Sequence, residues 1–279
     1  MESMPENPIA DALRHLAIAL AVLILAAAAV VFQHAETGAP RAAAGTRPAS
    51  PPDVQLANES GRGTAGPSAP PSAPALPGRV FHDVPFTSQA PFDDWSDPYG
   101  EACEEASVVM AMAWATGQPL APGRANAEIL RLVDFENYHF GYHRDTALRE
   151  TAKLLAYYYG HRGFVVSYDV GLDAIRRALA SGNLVIVPVA GALLQNPYYV
   201  GPPPYHMLVI RGYDDAAGEF IVNDPGTRRG EAYRYPYRTL WNAIHDWTGS
   251  DDTIMNGPKA MIVVAPARRI AEADGVRPR

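Results

Sequence analysis

Cys103 is the only cysteine in the 279-residue sequence. It opens an apolar, helix-forming run, Cys103-Glu-Glu-Ala-Ser-Val-Val-Met-Ala-Met-Ala-Trp114, just after a loop rich in Pro, Asp and Gly. A thiol at a helix N-terminus faces unpaired backbone N–H groups and the positive end of the helix dipole. Both favour the thiolate, which is the reactive form. The chemistry open to it is nucleophilic attack on a carbonyl. That chemistry needs a base, a group that orients the base, and donors for the oxyanion.

A hairpin supplies the first two. His206-Met-Leu-Val-Ile-Arg-Gly-Tyr213 and Glu219-Phe-Ile-Val-Asn-Asp224 read as strands joined by a turn over 214–218. The turn centres near residues 215 and 216, so the numbers of opposite residues add to about 430 to 432. His206 is then expected opposite Asp224 or very near it, with Cβ atoms ~4.5–5.5 Å apart on one face. Asn223 faces the other side, and a one-residue slip would exchange it for Asp224. A Cys/His/Asn set would also work. In this reading the Cys103 thiolate, ion-paired with His206, attacks; His206 then protonates the leaving amine, and Asp224 fixes the His206 tautomer and stabilises its positive charge.

The Cys103 backbone N–H offers one oxyanion donor. The other would be an upstream amide, and Gln89 is the only Gln or Asn between Gly61 and Cys103. Glu104 and Glu105 suit the first helical turn but put negative charge beside the thiol, so the thiolate would depend mainly on His206. One of them, most directly Glu104, is a candidate for binding a basic substrate group. Trp95 in the Asp-rich loop 91–100 and Tyr199 beside the Gly201–Pro204 cluster are candidates for the cleft wall. His139 and His143 stand four apart, but Gly141 between them opposes the helix a metal pair would need. No metal and no cofactor are expected.

These residues must be positioned by a domain of about 190 residues, long enough for one well-buried core. Four helices are read over 103–115, 125–135, 146–159 and 172–180, with one face of the first as core, Gly117 ending it and Thr146 capping the third. Strands come after them at 184–189, 206–213, 219–224, 229–237 and 260–264, with a short helix at 239–245 and a first strand at Val80-Phe81. Helices first and strands second imply an α+β fold whose mainly antiparallel sheet packs on the Cys103 helix.

Ahead of the domain, Leu16–Phe32 is an uncharged, almost wholly apolar run. Residues 1–15 are expected to be cytoplasmic. Residues 16–34 are expected to be a transmembrane signal anchor, or a signal peptide if cleaved at Ala26–Ala29. Either would export the rest of the chain. Residues 35–79 are rich in Pro, Ala, Gly and Ser, a disordered tether. The domain itself is read as 80–268, with a flexible tail at 269–279. The net charge of −7 and the lack of a Lys/Arg cluster exclude nucleic acid as an expected partner. A single cysteine excludes an intrachain disulfide framework and a multi-thiolate zinc site.

Val84-Pro-Phe-Thr-Ser-Gln89, Cys103-Glu-Glu-Ala-Ser107, His206-Met-Leu-Val-Ile-Arg-Gly-Tyr-Asp214 and Val222-Asn-Asp-Pro-Gly226 together resemble the C39-like peptidase family. This is a papain-like cysteine peptidase group related to the peptidase domains of bacteriocin exporters. The resemblance spans roughly residues 80 to 266. It implies a papain-like fold, a peptide or protein substrate, and Gln89, Cys103, His206 and Asp224 as oxyanion donor and triad. Gln89 lies fourteen residues before Cys103, a longer gap than in the exporter-type peptidases, so loop 91–100 reads as an insertion. The expected function is an exported, membrane-anchored thiol hydrolase acting on peptide or amide bonds, with a substrate expected in the cell envelope. The rivals are an acyltransferase, transpeptidase or envelope amidase with the same triad, and a peptide-binding module that kept the fold.

Overall fold

The structure, a computed structural model, describes residues 75–267. The expected anchor at 16–34, most of the tether and the tail from 269 lie outside them. Among the described residues no helix is long and apolar enough to cross a membrane.

Among the described residues seven strands form one sheet, and every pairing in it is antiparallel. They are β1 (Arg79–Phe81), β2 (Phe164–Tyr168), β3 (Leu184–Ala190), β4 (Tyr205–Asp214), β5 (Glu219–Asn223), β6 (Tyr233–Pro236) and β7 (Ala260–Val264). The order is β2-β7-β3-β4-β5-β6, with β1 alongside the end of β4. The helices are α1 (Cys103–Thr116), α2 (Pro122–His139), α3 (Leu148–Lys153), α4 (Leu172–Ala180) and α5 (Tyr237–Ala243). This is the α+β architecture expected, with the Cys103 helix against an antiparallel sheet, in keeping with a papain-like fold.

One expectation falls short. The sheet packs on both faces, not only on the Cys103 helix. Ile186, Met207, Val209 and Ile262 join α1 and α3 in one core. Val185, Val187, Leu208 and Ile210 join Ile175, Leu179 and Leu240 of α4 and α5 in another. Successive strand residues point to opposite faces, so Leu184–Ala190, apolar throughout, is buried throughout.

Helix α1 also differs from expectation. Rather than one apolar face it is buried all round, with only Trp114 and Thr116 outside the core. Its small side chains (Ala106, Ala111, Ala113, Ala115) let the sheet, α2 and α3 close on it from several sides. Gly117 ends it as read, at φ 67°, with Gln118 N–H donating to Ala113 O at 2.8 Å. Helix α2 begins earlier than predicted because Pro122 stands in the first turn, where its missing N–H costs nothing. Thr146 is not a cap. Helix α3 starts two residues later, where Glu150 Oε2 accepts from Ala147 N–H at 3.1 Å. Its last part passes into a wider π turn over Leu154–Tyr158.

Burying α1 also buries acid. Among the described residues no donor reaches any of the four carboxyl oxygens of Glu105 and Glu136. The two side chains meet, and each oxygen is only an acceptor when ionised. The contact is therefore satisfied when a proton is shared between them. Burial first, then the neighbouring carboxylate, pushes Glu105 well above the usual carboxylate range. Burial pushes Glu136 up to about 8. A carboxyl whose folded pKa exceeds its unfolded value stabilises fully below about pH 4.5, and that contribution is lost as pH rises toward about 8. The slope is at most about 1.4 kcal/mol per pH unit per group. Thermal unfolding is expected to show a lower melting temperature at pH 8 than at pH 5.5. Glu136→Gln should flatten that dependence, and a pH-independent wild-type midpoint would contradict the shared proton.

Candidate active site

Cys103 is the first residue of α1, after Ala102 at the N-cap. His206 lies near the start of β4 and Asp224 just past the end of β5. Cys103, His206 and Gln89 line one cleft of about 900 Å³. One wall carries Tyr198, Tyr199, the wholly exposed Val200 and Pro202–Pro204. Glu101, Asp145 and Asp251 line it as well, together with Trp95, and Arg228 bridges to Asp93 at 2.9 Å at its rim.

The hairpin meets its expectation by a diagonal rather than a direct pairing. Val209 pairs with Asn223, and a bulge lies between Ile210 and Gly212. Carried onward, that register sets His206 against Gly226, so Asp224 is the same-face neighbour two residues back. His206 Nε2 and Asp224 Oδ1 are 2.8 Å apart. That contact leaves Nδ1 as the ring nitrogen available to take a proton. Asn223 faces away, as read, accepting from Arg211 at 3.0 Å and Ala232 N–H at 3.1 Å. The structure therefore pairs His206 with Asp224 and not with Asn223.

Asp224 is fully buried and holds five donors. Oδ1 accepts from His206 and from Gly226 N–H at 3.0 Å. Oδ2 accepts from Tyr199 and Tyr235 hydroxyls, each at 2.7 Å, and from Asn196 Nδ2 at 3.2 Å. Burial alone would raise its pKa. The attraction of His206 and the bonds from His206, Tyr199 and Tyr235 outweigh that and hold it below the usual carboxylate range. A carboxylate so fixed keeps the imidazole in one orientation.

Tyr199, read as a cleft wall, thus has a second role. Its ring stands edge-on to His206 at 5.8 Å between centroids while its hydroxyl holds Asp224. Tyr235 and Asn196 were not foreseen. Both reach Asp224 from other segments, and Asn196 also donates to the Tyr235 hydroxyl at 2.7 Å. The alternation Tyr233-Arg-Tyr235 marks one tyrosine for burial, but nothing local says what it meets.

Gly226 closes this corner. A Cβ there would lie 2.9 Å from His206 Cε1 and 3.0 Å from Nε2. Gly226→Ala is expected to displace the imidazole and lower turnover at least tenfold, with little loss of melting temperature. Steady-state kinetics beside a thermal melt checks this; unchanged turnover would show that His206 tolerates the shift.

Gln89 is brought to the cleft, but its amide is already engaged. Nε2 donates to Tyr99 O at 2.9 Å and Gly100 O at 2.8 Å, and Oε1 has no partner among the described residues. Two carbonyl acceptors fix the amide orientation. Both N–H groups are in use, so service to an oxyanion requires one of these bonds to open.

The thiol environment reverses the first expectation. Cys103 is 6% exposed, and its S–H donates to Glu104 Oε2 at 3.0 Å. Burial, then the charge and hydrogen bond of Glu104, then Glu105 and Asp145, push it well above the ordinary thiol range. Desolvation and like charge outweigh the helix terminus. Glu104 itself is 1% exposed, so the structure does not offer it to substrate as the sequence suggested. His139 ends α2 and stacks on Phe135 at 4.1 Å, and His143 approaches Asn137 and Asp97. Among the described residues no three His, Cys, Asp or Glu side chains group to hold a metal.

An α+β domain with a cysteine at the head of a buried helix, and a His–Asp pair carried by an antiparallel hairpin, is consistent with a papain-like fold. The chain belongs to the Peptidase_C39 like family, whose pattern matches residues 81–250, more than half of its length. Among solved structures it is similar to a Bacillus anthracis protein assigned as a C39-like peptidase, at 14% identity and TM-score 0.45. That similarity covers 67% of this chain and 97% of the other. Comparison with curated protein sequences found no match.

Proposed function

We propose that the chain is a cysteine peptidase cleaving peptide or amide bonds through a covalent acyl-enzyme. The observation that carries this reading is the His206–Asp224 pair, held by buried donors and opening on the same cleft as the only thiol. His206 Nδ1 takes the Cys103 proton as Sγ attacks the scissile carbonyl carbon. The carbonyl π electrons move to oxygen, toward the Cys103 N–H and, once released, the Gln89 amide. As the carbonyl re-forms, the C–N bond breaks and the leaving nitrogen takes the proton from His206. Water then attacks the thioester, His206 accepting its proton and returning one to sulfur. Product acid and thiol result.

The apolar run 16–32 and the Pro/Ala/Gly/Ser stretch after it support an exported domain tethered to the membrane, facing peptides or proteins of the cell envelope. No metal or cofactor has a part in this chemistry. Incubation with a peptide library, with and without an added amine, tests the reading by product mass. New carboxyl termini in both conditions support hydrolysis. Amide products dominating with amine present would make the chain an acyltransferase. No product at all, with Cys103 inert to a peptidyl electrophile, would leave a peptide-binding module.

A further inference from the structure

We infer that Glu104 is a positioning residue that holds the Cys103 thiol in a protonated resting state, its S–H given to the Glu104 carboxyl rather than to His206. This rests on Cys103 being the nucleophile. Glu104 is gripped at both oxygens: Oε2 accepts from the Cys103 thiol at 3.0 Å and Oε1 from Thr146 N–H at 2.9 Å. Thr146 is buried, and its carbonyl accepts from Tyr205 O–H at 3.0 Å. Tyr205 immediately precedes His206 on β4. The acceptor for the thiol proton is thereby built from α1, the loop before α3 and the strand that carries the base. A sulfur bonded in this way shows its proton to Glu104 and not to the imidazole. The reaction therefore starts from a neutral thiol, and the S–H must leave Glu104 before His206 can take its proton. The groups facing this contact are Glu105 on α1, Asp145 in the loop before α3, and Tyr205 on β4, with His206 lining the same cleft. Glu101 and Asp251 act on Asp145. Glu104, Glu105 and Asp145 all oppose ionisation of the thiol. Such a thiol resists stray electrophiles and oxidants until substrate enters the cleft.

The test is the pH profile of Cys103 alkylation by iodoacetamide in the full chain. Wild type is expected to react slowly at pH 7, with a midpoint above the ordinary thiol value of about 8.5. Glu104→Gln keeps an oxygen for Thr146 N–H and turns an N–H₂ donor toward the sulfur in place of the acceptor. It should move the midpoint down by a unit or more and raise the pH 7 rate about tenfold. A gain that persists in the Glu104→Gln/His206→Ala double variant assigns the effect to Glu104 itself. A wild-type midpoint at or below the ordinary value overturns the proposal, even if Glu104→Gln does not fold. So does a folded Glu104→Gln whose profile overlays wild type. Failure of the catalytic reading is separate: it would appear as undiminished turnover in Cys103→Ala.

Discussion

Cys103→Ala is expected to abolish turnover, by about 10⁵–10⁶ in kcat, while the domain stays folded. The effect is this large because no other group in the proposed reaction forms the covalent bond to substrate. Stability should hardly change. The sulfur fills little space at the head of α1, and alanine suits a helix. Loss of a buried sulfur costs about 1 kcal/mol, a few degrees of melting temperature for a domain of this size. The variant also strips the proton from the Glu104 contact, leaving that carboxyl to draw its own proton from solvent. Peptide-library cleavage alongside a thermal melt checks both halves. Cleavage at the parent rate by a folded Cys103→Ala would overturn the mechanism.

Asp224→Asn is expected to lower kcat by about 10⁴, the scale of losing the correct imidazole tautomer. The substitution is nearly isosteric, but it exchanges a carboxylate oxygen for an N–H₂ in a site that supplies five donors. Whichever way the amide turns, at least one donor faces another. If the N–H₂ faces His206, the ring must present Nε2 as an acceptor, leaving Nδ1 protonated and unable to take the thiol proton. If it faces Tyr199, Tyr235 and Asn196, their network must reverse or break. Stability is therefore expected to fall as well, by about 2–4 kcal/mol. Asn223→Ala is the control. Asn223 serves Arg211 and the chain at Val84 and Pro85 on the opposite side. That variant should lose stability while the folded fraction keeps its turnover. Kinetics normalised to folded protein, with melts of both variants, separates the two. A loss of activity in Asn223→Ala equal to that in Asp224→Asn would contradict the assignment of the orienting group.

The parts of the site that were legible in the sequence were those fixed by local pattern. A lone thiol opening a helical run needs only helix periodicity to be placed. A hairpin needs only two strands and a turn to bring His206 near Asp224. The turn did not reveal the bulge between Ile210 and Gly212: the turn-side register, Tyr213 opposite Phe220, carried on without it would set His206 opposite Thr227 and on the face of Asn223, and the bulge moves His206 opposite Gly226 and onto the face of Asp224. What joins segments far apart in sequence was not legible. Tyr235 and Asn196 meet Asp224 only after β6 and the 191–204 stretch fold onto it. Thr146 looked like a cap because threonine caps helices, yet its N–H is bound to Glu104, 42 residues earlier. Burial on every side of α1 was hidden for a related reason. Alanine is compatible with either a packed or an exposed helix face, and only tertiary contact decides. Glu104 and Glu105, in a first turn, suggested exposed partners for the dipole. The structure buries both, and their charge then works against the thiolate that the helix terminus favours.

The central claim is that Cys103 is acylated during turnover. It is tested most directly by acid-quenching the full chain with a cleaved peptide and mapping the adduct by mass spectrometry. The account predicts an acyl mass on the peptide containing Cys103, labile to hydroxylamine as a thioester is, and absent from Cys103→Ala. Peptide cleavage that proceeds with Cys103 unmodified at every quench time, and persists in Cys103→Ala, would contradict it.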